Sequence, residues 1–170
     1  MFVTVDDFKV GKFELHSGIY SVPRIQDYID KYERRYLTEL LGVDLYDEFA
    51  ADVLLGLGLP TEPRFIVIFE ALTFDLPWCI LYSDGMKGML LGFIYYEYTK
   101  DEIVQMTPNG NVRPVGQNSE VAGSLYTQIY TRYNDGVRTY KAIQGYIWRN
   151  PEDYDYSDFN GMPKQMVTWL

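Results

Sequence analysis

The stretch GMKGMLLGFIYYEYTKDEIVQM, residues 85–106, constrains this chain more than any other. Projected at about 100° per residue, Met86, Leu90, Phe93 and Val104 share one side. Gly85, Gly88 and Gly92 cluster roughly opposite. A helix that is apolar nearly all round is buried, so other elements must surround it. Three glycines cost about 1 kcal/mol each in helix propensity relative to alanine. Close approach of another backbone to the glycine side is the expected compensation. Ser83 or Asp84 is the expected N-cap.

The neighbours are readable. Ser21 precedes Pro23, a pair suited to a helix start. Ile25, Tyr28, Ile29, Tyr32, Tyr36 and Leu40 follow at helical spacing, with Asp27, Lys31, Arg34 and Thr38 on the other side. Gly42 is the expected stop. Asp44 is the expected cap of a shorter helix, LYDEFAADVLL, which GLGLPTEPR ends. The longest helix is predicted over about residues 120–149, capped by Ser119 and stopped by Pro151. Ala122, Leu125, Ile129, Tyr133, Tyr140, Ile143 and Ile147 form its stripe, with Asn134, Arg138, Lys141 and Arg149 opposite. At about 40 Å it exceeds what a small bundle core requires, so its far end is expected to meet a partner or leave the domain body.

Two regions read less clearly. Residues 1–20 look extended, as one or two short strands or an arm. FIVIFEALTFDLPWCILY is β-branched and aromatic, interrupted by Pro77, and fits either strand or buried helix. The predicted fold class is mainly α: a bundle of about four helices with a minor N-terminal or mid-chain β element and an extended C-terminal arm. Residues 1–150 form the helical domain. Residues 151–170, acidic and aromatic, form the arm, which must fold back, dock on a neighbour or stay disordered.

Charge and composition narrow the function. The chain has 15 basic and 24 acidic residues, a net charge of -9. Such a chain does not coat nucleic acid, because each phosphate contact needs a cation. Its 16 tyrosines suit a core that reaches water and also suit interfaces. The single cysteine, Cys79, rules out an internal disulfide and a cysteine-based zinc site, and reads as a small buried hydrophobe. MFVTVDDFKV is not leader-like, and MLLGFIYYEY is too short to span a bilayer. A soluble protein made in a reducing cytoplasm is expected.

Catalytic motifs are weak. His16 is the only histidine, so no histidine metal pair can be built, and it reads as a surface or interface residue. The carboxylate clusters VDD, LYDEF and PEDYDYSDF read as helix-start and surface charge. DYDYSDFNG departs from a calcium loop: Asp158 replaces the required glycine, and Lys164 stands where the closing glutamate belongs. TPNGNVRPVG lacks the GKS or GKT of a phosphate cradle. Arg113, Arg132, Arg138 and Arg149 form no run and fit either a solvated face or pairing with acidic surfaces of neighbours. The expectation is no enzyme, no catalytic, cofactor or metal residue, and no cofactor.

Docking signals are stronger. QMTPNGNVRPVGQNSE, residues 105–120, is far longer than an antiparallel helix turn needs. Its polar, proline-stiffened composition fits either a protruding docking finger or a plain surface loop. The candidate interface residues are Thr107, Pro108, Asn109, Asn111, Arg113 and Pro114 on the finger. On the arm they are Tyr154, Tyr156, Phe159 and Trp169.

YIDKYERRYLTELLGVDLYDEF and GMKGMLLGFIYYEYTKDEIVQMTPNGNVRPVGQNSE together resemble one family. They are similar to the small helical head–tail connector (adaptor or ring) proteins of tailed bacteriophages, above all those of crAss-like gut phages. The likeness rests on a helix ending LLG before LY, a glycine-led helix with FIYYEY, and a TPNG loop. It covers roughly residues 25–145. It implies a non-enzymatic virion protein that forms a homo-oligomeric ring, typically dodecameric. Such a ring docks on the portal, meets the next tail-side ring and lets DNA pass without specific binding, with no membrane involved. The alternatives are a dimeric cellular helical interaction module or a small carboxylate-dependent hydrolase.

Overall fold

The buried helix lies at the centre of the molecule. A computed structural model describes residues 2–15, 21–103, 105–107, 110–112, 125–156 and 161–167. Helix α4, Gly85–Ile103, buries Met86, Met89, Leu90, Phe93, Ile94, Tyr95 and Tyr98. Helix α1, Val22–Leu41, runs antiparallel beside it: Tyr36 meets Phe93 at 4.5 Å between ring centroids, and Tyr28 meets Tyr98 at 5.3 Å. Its buried stripe is Ile25, Ile29, Tyr32, Tyr36, Leu37, Leu40 and Leu41, and Gly42 at φ 82° ends it. Helix α5, Leu125–Arg149, runs antiparallel along the other side of α4. Residues 119–124, where its start was predicted, lie outside the described residues.

The glycine side of α4 meets α5 at one point. A Cβ on Gly92 would lie 2.7 Å from the Arg132 carbonyl oxygen and 3.7 Å from the Gly136 Cα. Gly88 is different, since a Cβ there would meet only the Asp84 Cβ, at 3.1 Å. Gly85 adopts φ 81° with the Phe69–Ala71 backbone against it, and its amide donates to Ser83 Oγ at 3.1 Å. Of the two expected caps, Asp84 holds the position before the helix, while the Ser83 hydroxyl accepts from the first helical amide.

Among the described residues 2–15, no N-terminal strand forms. Residues 5–8 and 11–13 are two 3-10 turns, Val5–Phe8 and Gly11–Phe13. Phe2, Val3 and Phe8 are buried, and the amides of Phe2 and Val3 donate to the Glu33 carboxylate at 3.3 and 3.1 Å. That contact links α1 to residues thirty positions earlier, so no local pattern announces it. Burial raises the Glu33 pKa, against the lowering effect of these hydrogen bonds.

Helix α2, Val43–Leu55, starts at Gly42, so Asp44 sits in its first turn rather than at the cap. FIVIF is helical: α3 is Pro63–Phe69, with proline in its first turn and Phe65 and Ile68 buried. Asp52 holds the turn between α2 and α3. Its carboxylate accepts from the Thr61 amide at 2.8 Å, the Glu62 amide at 3.1 Å and the Thr61 hydroxyl. These bonds outweigh its desolvation and hold its pKa below the usual carboxylate range. Asp52→Ala strands two backbone donors and is expected to lower the melting temperature, with Asp52→Asn recovering part of the loss. Thermal circular dichroism checks the order.

The β element is mid-chain. Strands β1, Leu72–Leu76, and β2, Cys79–Ser83, pair antiparallel from Leu72↔Ser83 to Leu76↔Cys79 around Pro77 and Trp78. The inner side chains Phe74 and Leu81 rest on α5 at Gly145, with Phe74 5.6 Å from the Tyr146 ring. A second small pair, β3 Gln105–Thr107 and β4 Gly110–Val112, follows α4. The protein is mainly α with a minor antiparallel β element. No helix among the described residues is long and apolar enough to cross a membrane.

The C-terminal arm folds back over residues 151–156 and 161–167. Tyr154 donates to the Arg64 carbonyl at 2.5 Å, and Tyr156 donates to the Leu40 carbonyl. Residues 161–167 form a strap between α1 and α5. Asn134 donates to the Val167 carbonyl at 2.9 Å and accepts from the Val167 amide at 2.8 Å. Much of the tyrosine surplus has this internal use. Tyr28 donates to Asp101 at 2.5 Å and Tyr36 to Glu97 at 2.8 Å. Burial, then the Asp101 bond, pushes the Tyr28 pKa up to about 12.

Candidate interaction surfaces

The two hairpins flank α4 in sequence: β2 ends at Ser83 and β3 begins at Gln105. A 19-residue helix spans about 28 Å, so the hairpins leave its opposite ends. On β1–β2 the outward positions are Thr73 and Asp75 on one strand and Tyr82 and Ile80 on the other. Ile80 and Tyr82 are exposed, and Trp78 at the tip is 75% exposed. Trp148 on α5 is 65% exposed, and the Arg149 guanidinium lies 5.8 Å from the Trp78 ring centre. Cys79 is exposed here too, which corrects its reading as a buried hydrophobe: it opens β2 at the exposed turn of the hairpin, beside Trp78.

A second apolar surface follows α2. Leu54, Leu55 and Leu57 are 79%, 81% and 97% exposed, and Leu59 is exposed as well. The turn that carries them is held closed. The Gly58 amide donates to Val53 at 2.9 Å, and the Gly56 amide donates to Asp52 at 2.9 Å. A Cβ on Gly56 would fall 1.8 Å from the Leu59 carbonyl oxygen, so only glycine fits there. Leu57 adopts φ 56°, a conformation that branched side chains rarely take. A rigid backbone that holds leucines in water is preorganised for docking.

The predicted interface residues divide three ways. Thr107 and Asn111 lie on β3 and β4, within the predicted finger. Pro108, Asn109, Arg113, Pro114, Phe159 and Trp169 lie outside the described residues, as does His16. Tyr154 and Tyr156 are buried against their own chain, which corrects their expected role at a neighbour's surface. The leucine turn and the Trp78–Trp148 pair were absent from the prediction. LLGLGLP carried the signal: leucines recurring every second residue between glycines, where no helix can bury them.

Nearby charges tie elements together. Arg64 bridges Glu48 at 2.9 Å and Glu62 at 2.7 Å, and Lys12 meets Asp135 at 2.8 Å. Lys87 meets Asp7 at 2.8 Å. No group of His, Cys, Asp and Glu among the described residues is placed to hold a metal ion. Comparison with protein-family models, with curated proteins and with solved structures finds no match.

Proposed function

We propose that this chain is a structural subunit of a tailed-phage head–tail connector: a virion ring protein that docks on the portal and extends the DNA channel towards the tail. One observation carries the reading. A single chain holds two separate surfaces of large apolar side chains in water, at Leu54–Leu59 and at Trp78, Ile80, Tyr82 and Trp148. A monomer that works alone has little use for either, whereas a ring subunit needs two different side faces. The hairpins leaving opposite ends of α4 supply an upper and a lower contact for stacked rings. The net charge of -9 suits a lumen that DNA traverses without adhering.

Native mass spectrometry and negative-stain imaging test this, on the purified chain and on the chain mixed with a portal protein from the same phage. Closed rings, free or portal-bound, are expected. A protein that stops at a dimer at all concentrations would instead favour the cellular interaction module. A monomer that ignores the portal would end the connector reading.

A further inference from the structure

We infer that the two exposed apolar surfaces are the complementary halves of one contact, joined between successive copies of this chain. The inference rests on the connector reading and names the side contact of its ring. The first half is the outer side of α2 with its following turn: Asp44, Asp47 and Glu48, then Leu54, Leu55 and Leu57, all exposed. Helix α2 contains no lysine or arginine, and although Arg64 of α3 bridges Glu48, Asp44 and Asp47 keep its outer side acidic. The second half is the outer side of β1–β2 with the adjoining face of α5. It comprises Trp78, Ile80, Tyr82 and Trp148, flanked by Lys141 and Arg149, again all exposed, with Asp75 opposite Ile80 as the one carboxylate on the hairpin's outer side.

Both halves share one plan. Large apolar groups stand in water beside a helix whose exposed charges have a single prevailing sign, acidic on α2 and basic on this part of α5. That complementarity selects the partner. An α2 face against another α2 face would oppose carboxylates to carboxylates, and two α5 faces would oppose cations to cations. The contact is therefore heterologous, with one face of each copy meeting the other face of the next, the arrangement that closes rings. Helix α2 rests on α1, while the hairpin rests on α5, so one copy keeps both faces open.

Two full-length variants test the inference, Leu57→Asp and Trp148→Asp. Both side chains stand in water, and aspartate tolerates the left-handed backbone at Leu57. Far-ultraviolet circular dichroism should match wild type in both. Each variant alone is expected to self-associate at least about tenfold more weakly than wild type. Mixed one to one, each still offers one intact face. The mixture is then expected to give a dimer with one copy of each, and to grow no further in native mass spectrometry. Wild-type rings with variants that assemble undiminished would overturn the inference and leave the connector reading standing. A mixture that stays monomeric would overturn it equally, because that is the behaviour of a self-complementary contact. A wild-type chain that remains monomeric at every concentration, with or without the portal, would overturn both.

Discussion

Valine in place of Gly92 is expected to destabilise the fold by about 3 kcal/mol. The Cβ alone would stand 2.7 Å from the Arg132 carbonyl oxygen, and backbone cannot swing aside as the end of a long side chain can. Relief requires α4 and α5 to separate. The cost then spreads, because Gly136 on α5 is fitted just as tightly: a Cβ there would lie 3.1 Å from the Met89 carbonyl and 3.0 Å from the Phe93 ring. Phe93 in turn lies 5.2 Å from the Tyr133 ring and 4.5 Å from that of Tyr36. Gly88→Ala is the control, one turn earlier on the same helix. Its Cβ meets only the Asp84 Cβ, at 3.1 Å, which a shift of a few tenths of an ångström relieves. A helix-propensity gain of up to about 1 kcal/mol opposes that small cost, so Gly88→Ala should lie far closer to wild type than Gly92→Val. Chemical denaturation followed by circular dichroism measures both. A Gly92→Val protein as stable as wild type would mean that the two helices do not meet here.

That close approach was legible in the sequence because both of its causes are local. Three glycines in a helix that is apolar all round have few explanations, and two of them have a close backbone neighbour: Gly92 that of α5, and Gly85 that of residues 69–71. The phase of α1 was legible for a similar reason, since the spacing of Ile25, Ile29, Tyr32, Tyr36 and Leu40 repeats over four turns. What the sequence left open has the opposite property. The N-terminal turns depend on Glu33, and the α2–α3 turn depends on Asp52 reaching Thr61 and Glu62, contacts that no period encodes. FIVIF has strand composition, but Pro63 and the tertiary sites of Phe65 and Ile68 make it helical. The same limit explains the interaction surfaces. Tyr154 and Tyr156 looked like interface residues because the arm has no periodicity of its own. Their burial is decided by carbonyls on α3 and α1. Trp78, which does face water, sits in a turn where a sequence pattern gives no inside or outside, whereas Leu57 could have been found from LLGLGLP.

Lys164→Glu is the second large effect, expected to cost about 3 kcal/mol and to release the strap. Lys164 reaches from the strap to the Glu39 carboxylate, which also accepts from Arg35 at 2.8 Å. The ammonium lies 4.4 Å from the Tyr36 ring centre and 5.9 Å from those of Phe93 and Tyr140. Aromatic faces attract a cation and repel an anion, so reversing the charge turns each of these contacts unfavourable. It also sets two carboxylates together in a site where both partners are only 13% exposed. Lys164→Met keeps the stem and removes the charge, and should lose about 1 kcal/mol. Around the lysine, the Met162 amide donates to the Glu39 carbonyl at 2.7 Å, and the Tyr140 hydroxyl lies 2.6 Å from that carbonyl. The strap should therefore detach as a unit, and limited proteolysis should cut the Lys164→Glu protein near residue 161 well before wild type. The pH dependence has a definite sign. Burial alone would raise the Glu39 pKa, but hydrogen bonds from Lys164 and Arg35 outweigh it and hold the carboxyl below its usual range. A depressed pKa in the folded state contributes stability above the unfolded value near 4.5, and that contribution disappears as the pH falls through the folded value. Wild type should consequently lose strap protection on acidification below about pH 4.5. The Lys164→Met protein should lose less over the same interval, since Arg35 alone remains to depress Glu39. Equal acid sensitivity in the two proteins would show that Lys164 and Glu39 are not paired in solution.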